Sequence, residues 1–270
     1  MCRLIYRRGR EELMDAAPAL GRNDILAEVG MREVRFFYKP TVQCGIFATL
    51  PGRKKGFAVL VFRGTNGLET WLSNLTTFQV RWPGGGMVHS GFKKEFFKVW
   101  PEVAEALEEI DLPLFFAGHS LGGALALLAA SMRKPRAVYT FGCPRVGDPA
   151  FAAGLDGVPV YRIASLRDIV TGVPPSRIPF DFRHIGEPVF LTPAPDALAS
   201  EPSKPVATAA EFSGRRLIPG PPDFLSEHSP VNYTVHLTRT LLEESAAAAR
   251  KVESRPEFRP RPAPPPAQHP

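Results

Sequence analysis

Gly118-His119-Ser120-Leu121-Gly122 sets a hydroxyl nucleophile between two glycines in the middle of an apolar run, LPLFFAGHSLGGALALLAA, residues 112–130. A G-x-S-x-G pentapeptide that follows a strand and opens a helix holds its serine on a sharp, strained turn with the hydroxyl presented outward. The flanks predict that context. DLPLFFA reads as a buried strand, and LGGALALLAASMRK as a helix that ends in basic residues before Pro135. A helix N-terminus just beyond Ser120 also aims backbone N–H groups and positive dipole at developing negative charge. The bland alternative, a small serine in a Gly/Ala-rich packing helix, lacks a reason for this strand-turn-helix order.

A serine hydroxyl needs a base to take its proton, and the base needs a carboxylate to fix its tautomer. Where the nucleophile sits on such a turn, the chain order is Ser, then acid, then His. Asp168 follows the strand VPVYRIAS at the end where sheet-edge sites form, and Asp148, in CPRVGD, is its main competitor. Asp181 and Asp223 are far from any predicted strand end, and an N-cap or turn role is the alternative for Asp168. Among the histidines, His89 and His119 precede the serine and His269 lies near the C-terminus. His184 sits in a β-like run and His236 in a predicted helix, whereas His228, in SEHSPVNY, is on a loop just before that helix. Loops carry bases to a sheet edge more readily than helix interiors do, so His228 leads. Acyl transfer further requires two N–H donors for the oxyanion, one expected from Leu121 and one from a loop after an earlier strand, where VFRGTNG offers Thr65.

These side chains need a scaffold, and the flanking pattern describes one. QCGIFATL (43–50) and FAVLVF (57–62), separated by PGRKKG, predict a hairpin. SGFKKEFFKVWPEVAEALEEI spaces Phe92, Phe96, Trp100, Val103, Leu107 and Ile110 three or four apart, a helical stripe with Pro101 as its kink. A strand at RAVYTFG, a short helix at PAFAAGL and a strand at VPVYRIAS complete a βαβαβ rhythm. The expected class is α/β, with a mostly parallel central sheet, helices on both faces and an N-terminal antiparallel hairpin. Residues 1–244 read as one domain, interrupted by a Pro/Ala-rich excursion at 191–223, and residues 245–270 as a disordered Pro-rich tail.

Composition narrows the function classes. Hydrophobic residues at 44% and charged residues at 22% suit a soluble globular protein. The three cysteines, Cys2, Cys44 and Cys143, lack C-x-x-C spacing, so neither a disulfide framework nor a zinc site is indicated. The net charge of +6 comes from the ends: Arg3, Arg7, Arg8 and Arg10 at one, and five Arg or Lys against two Glu over residues 246–270 at the other. That distribution argues against a nucleic-acid face and leaves room for weak contact with anionic lipid. No secretory signal is read at the N-terminus, and the expected compartment is cytoplasmic.

VLVFRGT, VHSGF, GHSLGGALA, FGCPRVGD, YRIASLRDIVTGVPP, HIG and EHSPVNY follow one another between about residues 34 and 241. In that order they resemble the class 3 lipases, the fungal-lipase-like branch of the α/β-hydrolases. The resemblance implies an α/β-hydrolase fold with Ser120 as nucleophile, Asp168 as acid, His228 as base, and Thr65 with Leu121 at the oxyanion. It assigns Asp148 and His184 to structural blocks. It also implies a helical lid after the oxyanion residue, where GLETWLSNLTTF sets Leu68, Trp71, Leu72 and Leu75 on one apolar face. That face suits a cover over the cleft, a contact with lipid or a permanently packed surface helix, and Gly84, Gly85 and Gly86 suit either a hinge or a loop. The implied activity is carboxylic-ester hydrolysis, as a triacylglycerol lipase or lipid esterase working through an acyl-enzyme, on a lipid or small ester substrate, with no metal and no cofactor. A phospholipase or acyltransferase using the same triad, and a non-catalytic lipid- or protein-binding module, are the alternatives.

Overall fold

The computed structural model describes residues 2, 5, 21–65, 78–177, 180–191 and 228–253. In chain order, α1 (Arg22–Glu28) is followed by β1 (Met31–Tyr38), β2 (Gln43–Thr49), β3 (Ala58–Phe62), β4 (Gln79–Arg81) and β5 (Met87–His89). Then come α2 (Ser90–Phe97), α3 (Trp100–Glu108), β6 (Leu114–His119), α4 (Leu121–Met132), β7 (Ala137–Phe141), α5 (Pro149–Ala153) and β8 (Val160–Ser165). After a 3-10 turn (Ile169–Gly172), β9 (Ser176–Arg177), β10 (Phe180–Asp181) and β11 (Glu187–Leu191) precede α6 (Pro230–Glu253).

A seven-stranded sheet runs in the order β1-β2-β3-β6-β7-β8-β11. The hairpin expected from the sequence is β2 paired antiparallel with β3, and β1 adds a further antiparallel strand outside it. From β3 to β11 every neighbouring pair is parallel. Side chains alternate across the sheet with the period of two that a strand imposes. Ile46, Leu60, Phe116 and Val138 face one side, with Phe92 and Phe96 of α2, Val103 and Leu107 of α3, and Leu125 and Leu128 of α4. Phe47 and Val61 face the other with Leu26 of α1, and near β8 and β11 Ile163 and Leu191 meet Tyr233 of α6. Helices therefore cover both faces.

Every residue of α4 from Leu121 to Ala130 is buried, as expected of a helix that is apolar all round. That environment leaves the turn before it little freedom. The single stripe expected from 90 to 110 is two helices: the chain turns at Lys98 and Val99, and Pro101 falls in the first turn of α3, where its missing N–H costs nothing. At the other end α6 continues through Ser245 to Glu253, so residues 245–253, assigned to a disordered tail by composition, are helical. Alanines 246–249 have the highest helix propensity and extend the helix until Pro256 approaches, since a proline disfavours helical backbone in the residue before it.

Candidate active site

Ser120 joins the end of β6 to the start of α4 with φ 58° and ψ −128°, the one non-glycine residue at positive φ among the described residues. Such a backbone costs about 1–3 kcal/mol and persists only where its surroundings over-determine it. Here the Ser120 N–H donates to Phe141 O at the end of β7 (2.9 Å), and Ser120 O accepts from Gly123 N (2.9 Å). Gly122 lets the first turn of α4 press against the neighbouring strand, because a Cβ there would stand 2.2 Å from Phe62 O. The serine is 2% exposed, and its Oγ has no hydrogen-bond partner among the described residues.

Asp168 lies three residues beyond β8 and caps the 3-10 turn: its Oδ1 accepts from Val170 N (2.9 Å). Its Oδ2 accepts from His228 Nδ1 (2.8 Å) and from the Tyr233 hydroxyl (2.6 Å). The cap and the partner of a histidine, alternatives in the sequence, are the two oxygens of one carboxylate. A carboxylate oxygen only accepts, so the imidazole proton sits on Nδ1 and Nε2 carries the free lone pair. That Nε2 is also buried and without a partner among the described residues. Ser120 Oγ and His228 Nε2 are thus not bonded to each other, in keeping with the loose catalytic contacts of ligand-free sites.

The two halves meet at Phe141-Gly142. Phe141 O holds Ser120 N, while Gly142, at φ 56°, would with a Cβ stand 2.7 Å from Asp168 Oδ2 and 3.0 Å from His228 Nδ1. Leu121 is the first residue of α4, so its N–H has no acceptor within the helix. Thr65 is half-buried on the segment leaving β3, whose last residue, Phe62, abuts that helix turn. Leu68, Trp71, Leu72 and Leu75 lie outside the described residues, as do residues 192–223 of the expected excursion. Gly84, Gly85 and Gly86 form the tight turn between β4 and β5, closed by bonds from Trp82 N to Gly86 O (3.0 Å) and from Gly85 N to Trp82 O (3.1 Å).

The competing residues are accounted for locally. Asp148 caps α5 by accepting from Phe151 N (2.8 Å), and Asp181 pairs with Arg183. Asp223 and His269 lie outside the described residues. His89 caps α2, its Nδ1 accepting from Gly91 N (3.2 Å), and His236 is half-buried along α6. Burial first, with Arg162 and Arg145 adding, pushes the His184 imidazole down to about 4. Cys143, beside Gly142, is held above the ordinary thiol range by burial, so it remains a thiol and does not compete as a nucleophile.

The roles of three residues near the triad escape the sequence reading. Tyr233 donates to Asp168 and accepts from Ser165 N (3.0 Å), which ties the acid to both α6 and the end of β8. Arg145 bonds the carbonyls of Gly172 and Pro174, fixing the chain that follows the acid. His119 donates from Nε2 to His228 O (2.7 Å). Tyr233 and Arg145 stand in the blocks EHSPVNY and CPRVGD, but no spacing in those blocks names their partners.

A parallel sheet entered by an antiparallel hairpin, with a strained serine at a strand-to-helix turn and an Asp-His pair across the next strands, defines an α/β-hydrolase. The model of the class 3 lipase family matches residues 59–178. A solved triacylglycerol lipase, described as having a serine-protease triad as its catalytic centre, is 31% identical, with 62% of this chain and 69% of that one covered and a TM-score of 0.53. The chain belongs to the class 3 lipase family. It is 38% identical over 151 residues to a lipase of Rhizomucor miehei, covering 49% of this chain and 41% of that protein. It is 35% identical over 148 residues to the chloroplastic phospholipase A(1) DAD1 of Arabidopsis thaliana, covering 43% and 33%. The chain thus spans well under two thirds of the length of these curated relatives.

Proposed function

We propose that the protein is a serine carboxylic-ester hydrolase acting on lipid acyl esters. One observation carries this reading: a strained serine whose buried Oγ is unpaired, set across Phe141-Gly142 from an imidazole whose Nδ1 is bound to a buried carboxylate and whose Nε2 is free. An arrangement of that kind costs stability and leaves a nucleophile and a base free to act together on a substrate.

Ser120 Oγ attacks the ester carbonyl carbon as His228 Nε2 takes its proton, and Asp168 stabilises the imidazolium. The carbonyl oxygen becomes an oxyanion held by the Leu121 N–H and by Thr65 through its amide and hydroxyl. Each such donor contributes roughly 3–4 kcal/mol to the transition state. The tetrahedral intermediate collapses, the C–O bond to the leaving alcohol breaks, and His228 gives that alcohol its proton. Water, deprotonated by His228, then cleaves the acyl-enzyme and releases the carboxylic acid. None of these steps calls for a metal or an organic cofactor. Family membership supports a triacylglycerol or other acylglycerol as substrate, reached through transient contact with a lipid surface. Similarity to a phospholipase A(1) supports a second reading, in which the acyl group comes from a phospholipid.

Hydrolysis of short- and long-chain p-nitrophenyl esters by wild type and Ser120→Ala tests the reaction. The expected loss in kcat is at least about 10⁴-fold, and equal turnover by the two proteins overturns the mechanism. Fatty-acid release from emulsified triacylglycerol, compared with release from phosphatidylcholine vesicles, separates the two substrate readings.

A further inference from the structure

His119 takes no part in the proton transfers, yet it is 3% exposed and bonded across 109 positions of sequence to the residue that supplies the base. We infer that His119 is a positioning residue: by donating its Nε2–H to the His228 carbonyl it sets where His228 Nε2 stands relative to Ser120 Oγ. The inference rests on the reading of Ser120, Asp168 and His228 as a catalytic triad.

The tautomer follows from the partner, because a carbonyl oxygen only accepts and Nε2 must carry the proton. The acceptor is available because α6 does not use it. The first bond at the start of that helix runs from Tyr233 N to Ser229 O (3.1 Å), so the carbonyl of His228 precedes the helical ladder. Asp168 holds the His228 ring at one atom, Nδ1, and a ring held at one atom still pivots about that bond. Fixing the main chain of the same residue removes the pivot. The donor is itself well anchored: His119 ends β6, in register with Phe141 of β7, and is covalently joined to Ser120. A displacement of the nucleophile's strand therefore carries the base with it.

The ring of His119 also packs on that of His228, with centroids 4.7 Å apart and planes at 36°, and meets Tyr233 edge-on at 5.9 Å. His228 becomes an imidazolium at each proton transfer, so a charged neighbour would oppose every cycle. Burial, with His228 next, pushes the His119 imidazole down to about 3, so it is neutral at pH 7.

Three variants separate a donor from a filler. In His119→Gln the side-chain amide nitrogen reaches the place of the imidazole Nε2; in His119→Asn it falls one bond short; His119→Leu fills volume with no donor. With p-nitrophenyl ester as probe, the Leu and Asn variants are expected to lose on the order of 10- to 100-fold in kcat, the scale of a misplacement of about 1 Å. KM should stay within about 2-fold and the Gln variant within about 5-fold of wild-type kcat, since only the geometry of base and nucleophile changes. Wild-type kcat in the Leu or Asn variant overturns the inference, as does equal impairment of Gln and Asn. If the Leu variant does not fold, the Gln and Asn pair, matched by melting temperature, decides. Ser120→Ala is the separating control: turnover that survives it refutes the triad itself, whereas turnover abolished by it but untouched by the His119 substitutions refutes only the positioning role.

Discussion

The nucleophile and the base are held in opposite ways. Ser120 sits between a strand flanked on both edges and a helix buried from Leu121 to Ala130, so apolar packing immobilises it. His228 sits at the start of α6, which keeps Val231, Val235, Leu241 and Leu242 exposed and packs on the sheet mainly through Tyr233. Its position depends on hydrogen bonds to Asp168 and His119, and through Asp168 on Tyr233. Packing spreads its energy over many contacts, whereas a few buried polar bonds concentrate it, so the two halves should fail differently.

The largest expected effect lies on the base side. Asp168→Asn should lower kcat by about 10⁴-fold, because it keeps the shape but no longer enforces the Nδ1–H tautomer. Asp148→Asn, which retains a good helix cap, should leave kcat within about 2-fold; the reverse pattern would exchange the two acids. On the nucleophile side, Leu125→Ala should cost about 2–5 kcal/mol in denaturant unfolding while the folded protein keeps its kcat, and a specific loss of activity at full stability would break the contrast. Tyr233→Phe removes one donor from Asp168 and leaves Ser165 N without its acceptor, for which about 1–3 kcal/mol and a kcat loss near 10-fold are expected. Unchanged kinetics in that variant would show that Asp168 needs only His228 and Val170.

The effect smallest in kcat, because it leaves neutral pH untouched, is one of acid stability. His119 and His184 are neutral in the fold, at about 3 and about 4, while in the unfolded chain they titrate near 6.5. The unfolded state binds more protons between those values, so their contribution is complete above pH 6.5 and declines as pH falls toward 3. Melting temperature should drop across that window, and His184→Gln should flatten the upper part of the slope. A slope that steepens in His184→Gln would contradict a neutral buried imidazole.

How legible each feature was tracks how local its cause is. The turn at Ser120 could be read because its glycines, apolar strand and apolar helix are contiguous, and α4 formed as expected from its composition. The central parallel strands were readable as short apolar runs. β1 was not, since MREVRFFY mixes charges into an edge strand that needs only its inner face apolar. The α6 end was misjudged because an Ala-Arg segment ahead of prolines has the composition of a tail and the propensity of a helix.

Chain order and strand ends sufficed to nominate Asp168 and His228, and the motif sufficed for Ser120, because each rule acts within a few residues of its subject. Which oxygen of Asp168 caps a turn and which receives His228, that Tyr233 shares it, and that His119 reaches the base's carbonyl were decided by tertiary structure alone. The cap itself spans only two positions, but the other hydrogen bonds join groups 60 to 109 positions apart, and their geometry exists only once β6, β7 and β8 are laid side by side and α6 closes against their ends.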